Sequence, residues 1–274
     1  MGVHVNYNSL NEYVDSLDQA IKKPSKEYEK IGVHEDGYYK QLNANTLQIE
    51  NEYYSTVRPK ADQKHSMRPS KALLEHGVSY IELRSIDNNI FLNSGIDLEQ
   101  MYFIELLMIH SLIISDKEIS ENEYTEIKNN LTNVAHNGRE KDFKLQLNNK
   151  DTPIKKTLDG IMVELKKISN MMYLITHDKK YKDCIKKQEE KLSDRSNLPS
   201  NMVIDKMKIK EISFYEFCME NIWKQKKYFT NINIEESIVK KLKDESLMSD
   251  ERRVYMERNN QETYEDYIEK YFED

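Results

Sequence analysis

Apolar residues recur at helical spacing from the start of the chain. Leu10, Tyr13, Val14 and Leu17 fall on one stripe, and Asn8 or Ser9 just ahead can cap a helix over residues 10–21. Pro24 ends that helix or starts the next turn, and Glu35-Asp36-Gly37 reads as a turn. The period then changes to two. Leu47-Gln48-Ile49-Glu50-Asn51-Glu52-Tyr53-Tyr54 predicts a strand, with Leu47, Ile49 and Tyr53 on one face and Gln48, Glu50, Glu52 and Tyr54 on the other. A polar loop over residues 58–70 leads to a short helix at 70–75 that stops at Gly77. Val78 to Arg84 alternates again, so Tyr80, Glu82 and Arg84 share one face and Ile81 and Leu83 the other.

From Leu98 onward the period is helical. An apolar helix occupies residues 98–115, and Ser120 with Glu123 forms a capping box for a helix over 121–134. Residues 154–175 carry Leu158, Ile161, Met162 and Leu165 on one stripe; amphipathic stretches follow at 179–192 and 212–229. Tyr264, Tyr267, Ile268 and Tyr271 stripe a last helix. The expected class is α+β, with a strand-bearing part at residues 1–97 and a helical region at 98–274. A sheet of two or three strands leaves open edges and an uncovered face, which hints at missing strands.

Composition narrows the setting. Charged residues make up 32% of the 274, and the net charge of -7 argues against a general grip on nucleic acid. Cys184 and Cys218 are too few for a disulfide framework and lack zinc-site spacing, which fits a reducing cytoplasm. The first ten residues have neither the basic cluster nor the apolar run of a signal peptide, and Glu99, Glu105 and His110 mark the apolar helix as a core helix rather than a membrane span. A cytoplasmic protein is expected. His110 reads as a core histidine, and no phosphate loop, HExxH helix or GxSxG elbow occurs.

The two alternating strands carry the candidate chemistry. An acid and a base two residues apart, flanked by tyrosines, can simply be the solvated side of a half-buried sheet. Alternatively, Glu82 offers a hard oxygen ligand to magnesium, and Arg84 a planar donor fork to a transferring phosphoryl group.

The residues around those strands form ordered blocks: Leu47 to Tyr54, then Val57-Arg58-Pro59-Lys60, then Gly77 to Asp87. With Glu12-Tyr13-Val14, Ala20 to Tyr28, Gly95-Ile96-Asp97 and Asn137-Gly138-Arg139, they resemble the glutamate–cysteine ligase family of proteobacteria, in its C-terminal half only. Asn89-Ile90-Phe91 departs from the family's Asn-Pro-Phe.

The resemblance implies part of a glutamine-synthetase-like ligase sheet followed by a helical region. It also implies ATP-dependent ligation of L-cysteine to the γ-carboxylate of L-glutamate through γ-glutamyl phosphate, with Mg2+ or Mn2+, as the first step of glutathione biosynthesis. By resemblance Glu82 is a metal ligand, Arg84 is catalytic and contacts the phosphorylated glutamate, and Tyr54 belongs to the cysteine pocket. Glu50, Glu52 and Arg58 are second-tier candidates. The family's N-terminal half supplies most metal carboxylates, so a separately encoded N-terminal half is the implied partner of a truncated or split chain. The alternative is a non-catalytic remnant or helical interaction module.

Overall fold

The computed structural model describes residues 3–62, 67–114, 117–260 and 262–273. Part of the expected 58–70 loop and the final residue of the expected 98–115 helix therefore lie outside the described residues.

The first helix, α1 (Leu10–Lys22), starts at Ser9, whose side chain accepts the Glu12 N–H at 3.1 Å. Its stripe of Tyr13, Val14, Leu17, Ala20 and Ile21 is buried. A short α2 (Lys26–Ile31) leads to a hairpin of β1 (His34–Glu35) and β2 (Tyr38–Tyr39). Asp36 and Gly37, at φ 51° and 83°, make the expected turn, because both central positions need positive φ. Next come β3 (Val57–Lys60), α3 (Pro69–His76) and β4 (Tyr80–Leu83). Gly77 ends α3 at φ 71°.

The expected strand over 47–54 does not form. Residues Glu50–Glu52 make a 3-10 turn instead, because groups outside any neighbouring strand take the backbone donors. Gln48 N–H goes to the Glu52 carboxylate at 2.6 Å, Glu50 N–H goes to the Tyr271 hydroxyl at 3.1 Å, and Leu47 N–H goes to the Ala20 carbonyl at the end of α1 at 3.2 Å. The expected faces fail with it: Glu50 is 0% exposed and Tyr54 is 73% exposed. The strand lies further on, at β3, where a loop was expected. Pro59 argues against a strand in sequence, yet a ribbon of only two strands leaves an edge where its missing N–H costs nothing. Antiparallel register pairs Arg58 with Glu82 and Lys60 with Tyr80.

The later helices are α4 (Leu98–Ile113), α5 (Glu121–Asn137), α6 (Ile154–Thr176), α7 (Lys180–Ser193), α8 (Pro199–Lys210), α9 (Phe214–Thr230), α10 (Glu236–Asn259) and α11 (Tyr264–Glu273). Between α5 and α6 lies an unexpected hairpin, β5 (Lys144–Leu147) with β6 (Lys150–Pro153), turned by Asn148 and Asn149 at φ 53° and 59°. The Glu126 carboxylate accepts both turn N–H groups, at 3.0 and 2.6 Å. Ser120 caps α5 through the Glu123 N–H, and Ser213 with Glu216 forms a full capping box for α9. The fold is α+β. No helix among the described residues is long and apolar enough to cross a membrane.

Contacts divide the chain into two units, Met1–Ile86 with Asn233–Asp274, and Asp87–Ile232. The sequence reading places a single boundary at 97/98. The last helix instead returns to the first unit, where Phe272 packs against the core of Val5, Leu17, Ile21 and Leu73. In the second unit α4, α6 and α7 enclose Leu106, Leu165, Ile168, Cys184 and Ile185.

Candidate active-site ribbon

The candidate site is built on one face of the β3–β4 ribbon. Strand alternation puts Arg58, Lys60, Tyr80 and Glu82 on that face, and hydrogen bonding continues past β4 through Arg84 N–H to the Thr56 carbonyl at 2.8 Å. Val57, Pro59 and Ile81 belong to the other face and help line a shallow apolar groove of about 370 Å3 with Tyr7 and Leu10.

Tyr54, Glu82 and Arg84 come together. Arg84 donates from Nε to Glu82 Oε1 at 3.0 Å and from Nη2 to Oε2 at 3.1 Å, a two-pronged fork between residues two apart on the same strand face. The guanidinium sits 5.5 Å from the centre of the Tyr54 ring, within range of a cation–π contact. Lys60 Nζ approaches Glu82 Oε2 at 3.7 Å. The Arg84 hydrogen bonds hold the Glu82 carboxyl below its ordinary range, with Lys60 and Arg58 adding to the effect, and Glu82 in turn raises Arg84.

Arg58 is 3% exposed, beside the Tyr13 hydroxyl, and its Nε has no hydrogen-bond partner among the described residues. Burial is the main cause of the upward shift of Tyr13. Three cations therefore surround one carboxylate, leaving this face electropositive and fitted to an anion with several oxygens.

Sequence reasoning underrated Lys60 and Arg58. The alternation of Val57-Arg58-Pro59-Lys60 was the available signal, and Pro59 obscured it. Glu50 is placed elsewhere. Its carboxylate accepts Arg68 Nε at 2.7 Å, Ser70 N–H at 2.8 Å and Ser70 Oγ at 2.6 Å, so it belongs to the interior of the unit. Glu52 is occupied with the Gln48 backbone.

A divalent cation needs more than this face provides. Glu82 is already engaged by Arg84, and among the described residues no three His, Cys, Asp or Glu side chains gather as ligands. The residues present do not by themselves fit a magnesium site, since magnesium takes six oxygens in near-octahedral order.

Residues 1–134 match the family model described as glutamate-cysteine ligase. The glutamate–cysteine ligase of Alcanivorax borkumensis is 32% identical over 275 aligned residues, which cover 98% of this chain and 52% of that protein. The chain belongs to the glutamate–cysteine ligase family.

The ligase of Pseudomonas savastanoi is 34% identical over 224 residues, covering 81% of this chain and 42% of its own. A crystal structure of the Francisella tularensis glutamate–cysteine ligase in complex with AMP superposes with a TM-score of 0.92 at 29% identity, over 99% of this chain and 54% of that one. The chain thus spans about half the length of the curated ligases it matches. The matched residues 1–134 include the whole ribbon.

Proposed function

We propose that the β3–β4 ribbon is one side of an active site that joins L-cysteine to the γ-carboxylate of L-glutamate with ATP, through γ-glutamyl phosphate. The observation that carries this reading is the convergence of Arg84, Lys60 and Tyr54 around Glu82. The Francisella tularensis relative was solved with AMP, which supports a nucleotide co-substrate.

Forming the acyl phosphate places negative charge on the oxygens of the transferred group. Arg84 presents two parallel N–H bonds to such oxygens, and Lys60 adds a compact charge beside them. Before substrate arrives, Glu82 keeps the planar fork aimed. Tyr54 covers one side of the guanidinium, and we assign it to the wall of the cysteine pocket. The other side of the site belongs to the portion of the ligases that this chain does not match. A separate polypeptide of that kind is the proposed partner. As a metal ligand, Glu82 would be one carboxylate on Mg2+ or Mn2+, with the others on that partner.

A second reading is an interaction module without chemistry. It is favoured by α10, which leaves Ile238, Leu242, Leu247 and Met248 exposed. One reconstitution separates the two. The chain is mixed with the unmatched portion of the Alcanivorax borkumensis ligase, and γ-glutamylcysteine is measured. Turnover is expected, and Arg84→Ala should lower kcat by about a thousandfold, as removal of a charge-stabilising arginine does in phosphoryl transfer. Equal turnover by the variant would remove Arg84 from the mechanism; no turnover with either chain would favour the interaction module.

A further inference from the structure

The second unit contains a cleft that the ligase reading does not use. It has a volume of about 530 Å3 and lies where the start of α6, the end of α7 and the segment after α5 meet. Arg139, Lys141, Lys155, Lys191 and Arg195 line it, and no Asp or Glu does. This is unexpected in a chain that carries 48 acidic residues against 41 basic ones.

None of the five cations forms an ion pair among the described residues. Acid is close at hand. In the neighbouring groove between α6 and α7, Lys166 is paired with Glu189. The cleft cations make no such pair, although Asp97 and Glu99 act on Lys191 from outside the lining and Lys155 borders the groove that holds Asp159 and Glu189.

The two arginines are held in place rather than free. Arg195 Nη1 donates to the Arg139 carbonyl at 2.5 Å, Arg139 Nη1 donates to Asn201 Oδ1 at 3.1 Å, and Asn201 Nδ2 returns a bond to the Arg195 carbonyl at 2.7 Å. Each arginine keeps further N–H donors available. Lys191 is half-buried, and its ammonium donates to the neutral Gln188 Oε1 at 3.3 Å. Burial first, and then the nearby Lys187 charge, push its ammonium down. The first turn of α6, a helix of 23 residues, opens at the cleft through Ile154 and Lys155, so its positive end adds to the field. Leu158, Leu192 and Leu198 provide an apolar lining.

Gathering five unpaired cations around one concave surface raises the energy of the empty cleft, and a multiply charged anion relieves it. The volume suits a small molecule, since ligand pockets run from about 300 to 1,000 Å3. We infer that this cleft binds a small polyphosphate ester: the phosphates meet Arg139, Lys141, Lys155, Lys191 and Arg195, and an apolar or flat body rests on the leucines. A nucleoside polyphosphate has that chemistry. The inference stands independently of the ligase reading, because the ribbon and the cleft share no residue.

Calorimetry on the full chain without added metal, using inorganic tripolyphosphate and ATP as separate probes, tests it. Both should bind, ATP the more tightly because of the leucines, and both should weaken as salt is raised. Lys141→Glu with Lys155→Glu changes two exposed side chains without touching the core, and should weaken both probes by at least about tenfold, the loss of roughly one strong charge contact. Arg84→Ala should leave tripolyphosphate binding at the cleft unchanged. If the double variant has a wild-type circular dichroism spectrum and binds tripolyphosphate as the parent does, the inference is overturned. It is equally overturned if the parent binds neither probe at millimolar concentration, or if a single-stranded oligonucleotide binds while both small probes do not. Should Lys155→Gln alone weaken binding in proportion to its charge, the cleft assignment holds even if the double variant misfolds.

Discussion

In the unit that carries Tyr54, Glu82 and Arg84, the fully buried side chains include a carboxylate, Glu50, locked to Arg68 and Ser70. In the unit spanning Asp87–Ile232 the interior is Leu106, Leu165, Ile168, Cys184 and Ile185, and the buried Ser169 Oγ donates to the Tyr181 carbonyl at 2.8 Å. The surfaces run the other way. The first unit presents cations already matched to a carboxylate on its ribbon, and the second presents cations with no carboxylate at all in its cleft.

The difference shows what each interior is suited to. A charged interior is directional: Glu50 fixes Arg68, Arg68 reaches Asp18 on α1 at 3.1 Å, and Tyr271 of α11 both accepts the Glu50 N–H and stacks with Arg68 at 5.5 Å. That network ties elements distant in sequence beside the ribbon. An apolar interior is tolerant of direction and gains stability from volume and area.

Breaking these interiors should therefore have unequal effects. The largest is expected for Glu50→Ala, which strips the buried Arg68 guanidinium of its buried partner, leaves it only the partly exposed Asp18, and should cost about 3–5 kcal/mol in chemical denaturation. Adding Arg68→Met should recover a large part of that loss; no recovery would show that the carboxylate acts through something other than Arg68.

Next comes Leu165→Ala, at the 0% exposed centre of the second unit, where the cavity and lost transfer energy together should cost about 2–5 kcal/mol. Hydrogen exchange under mild denaturant should show Leu165→Ala loosening α4, α6 and α7 while the ribbon amides keep their protection, and Glu50→Ala doing the reverse. Uniform loosening by either variant would mean the two units unfold as one.

The smallest effect concerns pH. Burial raises the Asp18 carboxyl, but hydrogen bonds from Lys22 and Arg68 outweigh it, so the folded value is lowered. Because the folded value lies below the unfolded one, the stabilisation is present above the ordinary aspartate value of about 3.9 and is lost as pH falls through the folded value. Acid titration of the first unit should flatten in this window for Asp18→Asn, while the cores made of leucine and isoleucine show no matching change.

Much of the fold was legible along the chain. The stripe of α1, the Asp36-Gly37 turn, the stop at Gly77 and the cap at Ser120 are short-range effects, set by residues within a turn of one another. The Asn148-Asn149 hairpin was equally local, and its signal, alternating leucines before two asparagines, was present. The false strand at 47–54 has another origin. Its alternation was real, yet Glu50 turns inward because Arg68, Ser70 and Tyr271 await it from positions far along the chain. No window of sequence contains those partners.

The candidate site divides along the same line. Alternation alone put Glu82 and Arg84 on one strand face, and the ordered blocks around them pointed to the ligase family. That Lys60 comes alongside the two-pronged fork of Arg84 on Glu82 depended on antiparallel register between β3 and β4, and the approach of the Tyr54 ring on the packing of the segment before β3. The five-cation cleft depended on it still more: Arg139 and Arg195 are brought together by backbone carbonyls across a long sequence interval. Periodicity is a property of neighbours along the chain and is written in the sequence itself. Which charges finish beside one another is settled only when distant segments pack, because burial and pairing are energies of the whole arrangement.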